Sequence, residues 1–264
     1  MRDLLLIDEL TWVEIRDRIT AGWETVIVPL GSTEQHGPAL PLLADNEHGV
    51  QTAVRAARVL GKTLVGPVIT LGYSPEHTAF PGTISLSRST LAGLIHDVAE
   101  SHARSGFKLV YFWVAHGGNY SILQEVLPTL ESKWPGCHVT GLKDLKEYIS
   151  KTWDAVPLDR GIPLSQSGSH AGEFETSMIL STRPDLVQMN AAEKGCGAPF
   201  ESIAATMFAS GIHTISANGV LGDQRQDFGK IGTDVRTWPL HTSSHLACRR
   251  RLNSNKRTKR HVRF

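Results

Sequence analysis

Seven side chains in this 264-residue sequence have the types and spacing to hold metal ions. Glu34, His36 and Asp45 share one short loop, and His116, His170, Glu173 and Glu175 follow farther along the chain. Carboxylate oxygens and imidazole nitrogens without thiolates are the donor set of zinc, manganese or iron. The carboxylates outnumber what one tetrahedral ion needs, which points to two divalent ions about 3.5–4 Å apart with a shared aspartate between them. Ions of that kind bring bound water to a pKa near about 7 and polarise a carbonyl, so one site supplies nucleophile and electrophile together. Hydrolysis at such a site also requires a proton for the leaving group; His170 is the expected donor, with Glu173 assisting the transfer. His77, in EHTAFPGT, is expected on the substrate side, with Asn119 there to orient His116, the water or the substrate.

Bringing these groups together requires strand ends. The stretch from Val26 to Asp45, VIVPLGSTEQHGPALPLLAD, reads as an apolar strand, Thr25 to Leu30, running into the loop that carries Glu34 and His36. These two are two residues apart, so an extended segment sends both side chains to one side. Gly31, Gly37, Pro38 and Pro41 bend or stiffen the backbone around them. A helix from Glu9 to about Thr20 is expected upstream, with Asp8 as N-cap and Trp12, Ile15 and Ile19 on one apolar face. Asp45 stands just before a helical stretch reaching about Leu60, where it can cap that helix and present a carboxylate to metal. A strand from Thr63 to Ile69 leads into LGYSPEHTAFPGTISL, too rich in Gly, Pro, Ser and Thr for regular structure and long enough to be functional.

The next helix, capped by Ser87 or Ser89, is expected to end near Ser105. The strand from Lys108 to Ala115 is apolar almost throughout, as a strand buried on both faces is, and ends in His116-Gly117-Gly118-Asn119 before a helix to about Leu130. That places His116 at the carboxyl edge of a parallel sheet, where open α/β folds bind ligands. A strand from His138 to Leu142, a helix around Lys143 to Thr152, an irregular stretch to Gly168 and a helical SHAGEFETSMILS complete the pattern. Beyond Arg183 the strong signals are GVLGDQR and a basic tail.

At 41% hydrophobic, the chain can bury a sizeable core as one α/β domain. No apolar run approaches the roughly 20 residues of a membrane span, and MRDLLLIDEL is too short and acidic for a signal peptide, so a cytoplasmic protein is expected. Cys137, Cys196 and Cys248 show no CxxC spacing, which suggests neither a disulfide framework nor a thiolate zinc site. Residues 249–264 hold eight of the 27 Lys and Arg and no acid, leaving 19 basic against 26 acidic residues before Arg249. A tail of that kind is expected to be disordered and solvated; a metal-stabilised protein binding nucleic acid through it is the alternative reading. The dinucleotide fingerprint GxGxxG and the GxSxG elbow of serine hydrolases are both missing.

In combination, GSTEQHGPALPLLAD, EHTAFPGTISL, HGGN, HAGEFETS and GVLGDQR resemble the successive motifs of the creatininase, or creatinine amidohydrolase, family, from roughly Val26 to Arg225. The resemblance implies a single α/β domain over residues 1–248, with a mostly parallel central sheet and helices on both faces. It also implies two divalent ions per chain, assembly into a homohexamer, and hydrolysis of a C–N bond in a cyclic amide, a formamide or a short peptide. Carried over, Glu34, His36, Asp45 and His116 match metal-ligand positions, with Asp45 as the bridge. Creatininase proper resembles a pattern with a glutamate two residues after the strand-end histidine, where this chain has Gly118. Members with HGGN look to use the glutamate of the ETS triplet instead, here Glu175, with Glu173 as its rival. The GSTEQHGP and HGGN forms are similar to the branches that deformylate formamides or trim a mycofactocin-type precursor peptide. Trp153 resembles a tryptophan that covers the substrate in creatininase.

Overall fold

The computed structural model describes residues 4–225; the basic tail and the segment preceding it lie outside the described residues. Helix α1 (Trp12–Thr20) opens at Thr11, whose hydroxyl accepts from the Glu14 backbone N–H while the Glu14 carboxylate accepts from the Thr11 N–H. This reciprocal box displaces the expected Asp8 cap, because it satisfies two orphan donors at once, and residues 7–9 form a separate 3-10 turn. Ile15 and Ile19 pack on the core, whereas Trp12 is 71% exposed and lies under the Arg16 guanidinium.

The chain then alternates strand and helix: β1 (Thr25–Leu30), α2 (Ala44–Leu60), β2 (Thr63–Val65), α3 (Arg88–Arg104), β3 (Leu109–Val114), α4 (Asn119–Leu130) and β4 (His138–Gly141). Among the described residues these strands form one parallel sheet in the order β2-β1-β3-β4. Alternate residues serve opposite faces. Val26, Val28, Leu30, Val110 and Phe112 pack with Leu91 and Ile95 of α3 and Ile122 and Leu123 of α4. Ile27, Val65, Tyr111 and Trp113 pack with Ala53, Ala56 and Ala57 of α2. β2 stops short of the expected Ile69 because Pro67 has no N–H for the ladder, and Ile69 returns only as an isolated bridge to Leu30. Ser87 caps α3 by accepting from the Thr90 N–H.

This order has a functional consequence. From β1 the chain crosses to β2 on one side, and from β3 to β4 on the other, so the connections diverge between β1 and β3. A crevice opens at such a switch point beyond the carboxyl ends of the strands. The ligand loop leaves β1 there and His116 leaves β3 there.

The second half is more helical than the sequence suggests. The expected helix around Lys143 to Thr152 is present as α5 (Leu145–Ile149) and a π turn at Ser150–Asp154, and two further short helices, α6 (Ala155–Asp159) and α7 (Leu164–Ser167), occupy much of the stretch expected to be irregular. A 3-10 turn at Pro75–His77 likewise interrupts the long loop after β2. Next come α8 (Glu173–Thr182) and α9 (Phe200–Ser210), the latter with no expectation in the sequence, since only Met207 is buried and its apolar residues keep no clear period.

His102 on α3 lies edge-on to Phe107, and burial pushes its pKa down to about 4. Above about 6.5 neither the folded nor the unfolded chain holds this proton. As pH falls below that, the unfolded chain takes it first, and stability declines until the folded pKa is reached. In urea titrations, the stability of the native protein relative to His102→Gln should fall by up to about 2–3 kcal/mol between pH 7 and pH 4. A difference independent of pH would contradict the assignment.

Candidate metal centre

The loop after β1 folds back on itself: the Glu34 N–H donates to the Leu42 carbonyl, and His36 bridges Leu40. Gly37 turns it at φ 68°. Asp45 does not cap α2. The N-cap position is Leu43, and Asp45 sits in the first turn with its carboxylate turned away from the backbone donors toward two imidazoles.

Asp45 divides the cluster. Its Oδ1 lies 3.5 Å from His36 Nε2, which also faces Glu175 Oε1 at 3.7 Å. Its Oδ2 lies 3.4 Å from His116 Nδ1, which also faces Glu34 Oε2 at 3.2 Å. His36 Nδ1–H donates to the Glu34 carbonyl and His116 Nε2–H to the Tyr73 carbonyl. A carbonyl only accepts, so each ring keeps a proton on its outer nitrogen, and the inner nitrogen is the one that can exchange a proton for a cation. Glu34 Oε2, His36 Nε2 and Asp45 Oδ2 are all buried without hydrogen-bond partners. Buried polar atoms are rarely left so, and converging orphan donor atoms of this chemistry fit divalent cations.

The electrostatics agree. Burial alone pushes the Glu34 and Asp45 carboxyls up, but His116 and His36 outweigh it and hold both below the ordinary range. Burial opposes charge on His36 and His116 as well, yet the surrounding carboxylates raise both pKa values well above normal. Three buried carboxylates draw positive charge into one small volume.

Glu175 and Glu173 part as helix geometry requires. Glu175 faces His36, and its other oxygen accepts from the Ala171 N–H, where Ala171 takes φ 54°. Glu173 is fully buried on α8, with Oε1 accepting from Ser177 and Oε2 unpartnered, and burial raises its pKa. A ligand on residue 118 is excluded sterically: a Cβ there would stand 2.2 Å from the Tyr73 carbonyl oxygen and 2.4 Å from His116 Nε2. The HGGN glycine thus protects the hydrogen bond that aims His116.

His170 and His77 flank Glu34 Oε1 at 3.9 and 3.4 Å. Burial, with the charges of its neighbours, pushes each down to about 3, so both are neutral near pH 7. Asn119 has its amide engaged with the scaffold, donating to the Gly31 carbonyl and accepting from the Tyr73 N–H, so it joins the two loops. Trp153 has ring contacts with Phe174 and His48. Sequence reasoning passed over Gln35 and Gln224, buried amides of motifs it had marked. Gln224 donates to the His36 carbonyl, which gives GVLGDQR a place behind the ligand loop.

A model of the family described as Creatininase: creatinine amidohydrolase matches residues 8–235. The chain belongs to the creatininase family. It is therefore an amidohydrolase, a metal-dependent hydrolase of C–N amide bonds, and the family match gives no support to the nucleic-acid-binding reading. The mycofactocin precursor peptide peptidase of Mycobacterium ulcerans is 31% identical over 221 residues, 78% of this chain and 77% of that protein. Creatinine amidohydrolase of Pseudomonas putida is 29% identical over 202 residues, 72% of this chain and 76% of that protein. A solved structure described as "Creatininase Mn" superposes with a TM-score of 0.68 at 26% identity, covering 84% of this creatininase-family chain and 89% of its own.

Gly118→Ala should fold normally by circular dichroism but bind metal about 10–100-fold more weakly, because the added methyl displaces His116. Unchanged affinity in a metal titration would show that the glycine has no part in aiming the ligand.

Proposed function

We propose that the centre binds two divalent ions, with Asp45 bridging, Glu34 and His116 on one side and His36 and Glu175 on the other, and hydrolyses a small amide. The observation that carries this reading is the division of Asp45, one oxygen facing each imidazole. When bound, the ions supply Lewis acidity to the amide carbonyl and lower the pKa of water in the site. The chain's own residues do the rest. Glu34, Asp45 and Glu175 fix the charge of the cavity, and His116 and His36 are aimed by backbone carbonyls. His170 holds and moves the proton: neutral at the start, it takes the proton released by the attacking water and returns it to the departing nitrogen as the C–N bond breaks. The sequence expectation of His170 as donor is thereby refined, since it receives before it gives. Glu173 assists through Ser177 at most, and His77 and Trp153 line the approach.

The substrate class is a cyclic amide, a formamide or a short peptide, with the peptide favoured by the similarity to the mycofactocin precursor peptidase. Manganese, zinc and iron all suit the donor set, and the manganese form of a neighbour makes manganese the first to try. We place the protein in the cytoplasm, in keeping with free Cys137 and Cys196 and with no described helix long and apolar enough to cross a membrane.

The test is release of amine or formate from a panel of these substrates, before and after chelation. Activity that is lost with chelator and restored by manganese or zinc is the expected result; turnover indifferent to chelation would refute the proposal. His170→Ala should keep its metal and lose about 10²–10⁴-fold in turnover. A metal-depleted His170→Ala would instead make this residue a ligand, as its closeness to His36 and Glu175 allows.

Homohexamer assembly is proposed on the family resemblance and on α9, where Phe208 is 57% and Phe200 36% exposed with their rings in edge contact. Light scattering should give a six-chain mass that Phe208→Glu reduces. A monomeric native protein would contradict it.

A further inference from the structure

We infer that Gln35 is a positioning residue that fixes the ring protons of His77 and His170, so that Glu34 meets one imidazole as a donor and the other as a bare lone pair. Gln35 is buried, and its backbone partners fix which way its amide faces. Oε1 accepts from the Gly37 N–H at 2.9 Å, and Nε2 donates to the Gly219 carbonyl at 3.2 Å. The second Nε2 hydrogen goes to His77 Nδ1 at 2.9 Å. His77 therefore accepts on Nδ1, carries its proton on Nε2, and points that N–H at Glu34 Oε1, 3.4 Å away.

The backbone carbonyl of the same residue handles His170. It accepts from His170 Nε2 at 2.8 Å, so the proton sits there and Nδ1 is bare toward Glu34 Oε1. Gln35 Nε2 also lies 3.1 Å from His170 Nε2, but both of its hydrogens are already placed, so this contact is not a hydrogen bond. One glutamine thus joins four motifs: its own GSTEQHGP, EHTAFPGT through His77, HAGEFETS through His170, and GVLGDQR through Gly219. Gly219, at φ 75°, must be glycine, because a Cβ would stand 2.1 Å from Gln35 Oε1. The effect on turnover rests on the proton role proposed above for His170; the ring protons do not.

Nitrogen-15 imidazole spectra of the full chain, as purified and after chelation, test the inference, with signals assigned through His77→Gln and His170→Gln. Native His77 and His170 should both carry the proton on Nε2. Gln35→Glu replaces the NH2 donor by an acceptor, so His77 should move its proton to Nδ1 while His170 stays unchanged. Gln35→Met should leave His77 divided between the two forms. Turnover should fall about 10–100-fold in both variants with metal content retained. Native His77 protonated on Nδ1, an unmoved His77 in Gln35→Glu, or loss of metal in both variants would overturn the inference. The native spectrum decides by itself if a variant fails to fold, and it stands whatever substrate the enzyme proves to cleave.

Discussion

The structure depends on the compensation of three carboxylates, Glu34, Asp45 and Glu175, buried within a few ångströms of one another. Desolvating one such group unpaired would cost several kcal/mol, and like charges this close repel further. Positive charge must enter, as protons on His36 and His116 or as cations that take their place. The parallel sheet makes this tolerable by delivering the groups from separate strand ends into one crevice, where each carboxylate meets an imidazole and not only its like.

Once the charges are assembled, backbone geometry decides what each side chain can do. The Glu34, Tyr73 and Gln35 carbonyls each take one imidazole proton, from His36, His116 and His170, and so turn the opposite nitrogen inward. These contacts leave no space for side chains, hence glycines where a Cβ would strike the Tyr73 carbonyl from position 118 or Gln35 from position 219. The motif glycines are therefore part of the geometry that aims the imidazoles rather than simple flexibility.

Much of this was legible in the sequence. An apolar run before a Gly-rich loop points to β1 and β3, and the two-residue spacing of Glu34 and His36 sends both side chains to one side, where they lie close together with Asp45. The choice of Glu175 over Glu173 followed from the family motif and agrees with the helix geometry. What escaped notice has physical causes. Of the two parts expected of Asp45, helix cap and metal-facing carboxylate, the cap gives way, because two imidazoles attract its carboxylate more strongly than backbone amides do. Asp8 lost to Thr11 because the capping box counts two bonds. Gln35 carries no charge and shows no periodicity, so only its partners, up to 184 residues away, reveal its role. The short helices between 155 and 167 lie below the length at which hydrophobic period can be read.

Anomalous scattering from crystals of the full chain grown with manganese tests the central claim most directly. Two peaks about 3.5–4 Å apart, one against each oxygen of Asp45, are the predicted result. A single peak, or peaks that leave Asp45 uncoordinated, would contradict it.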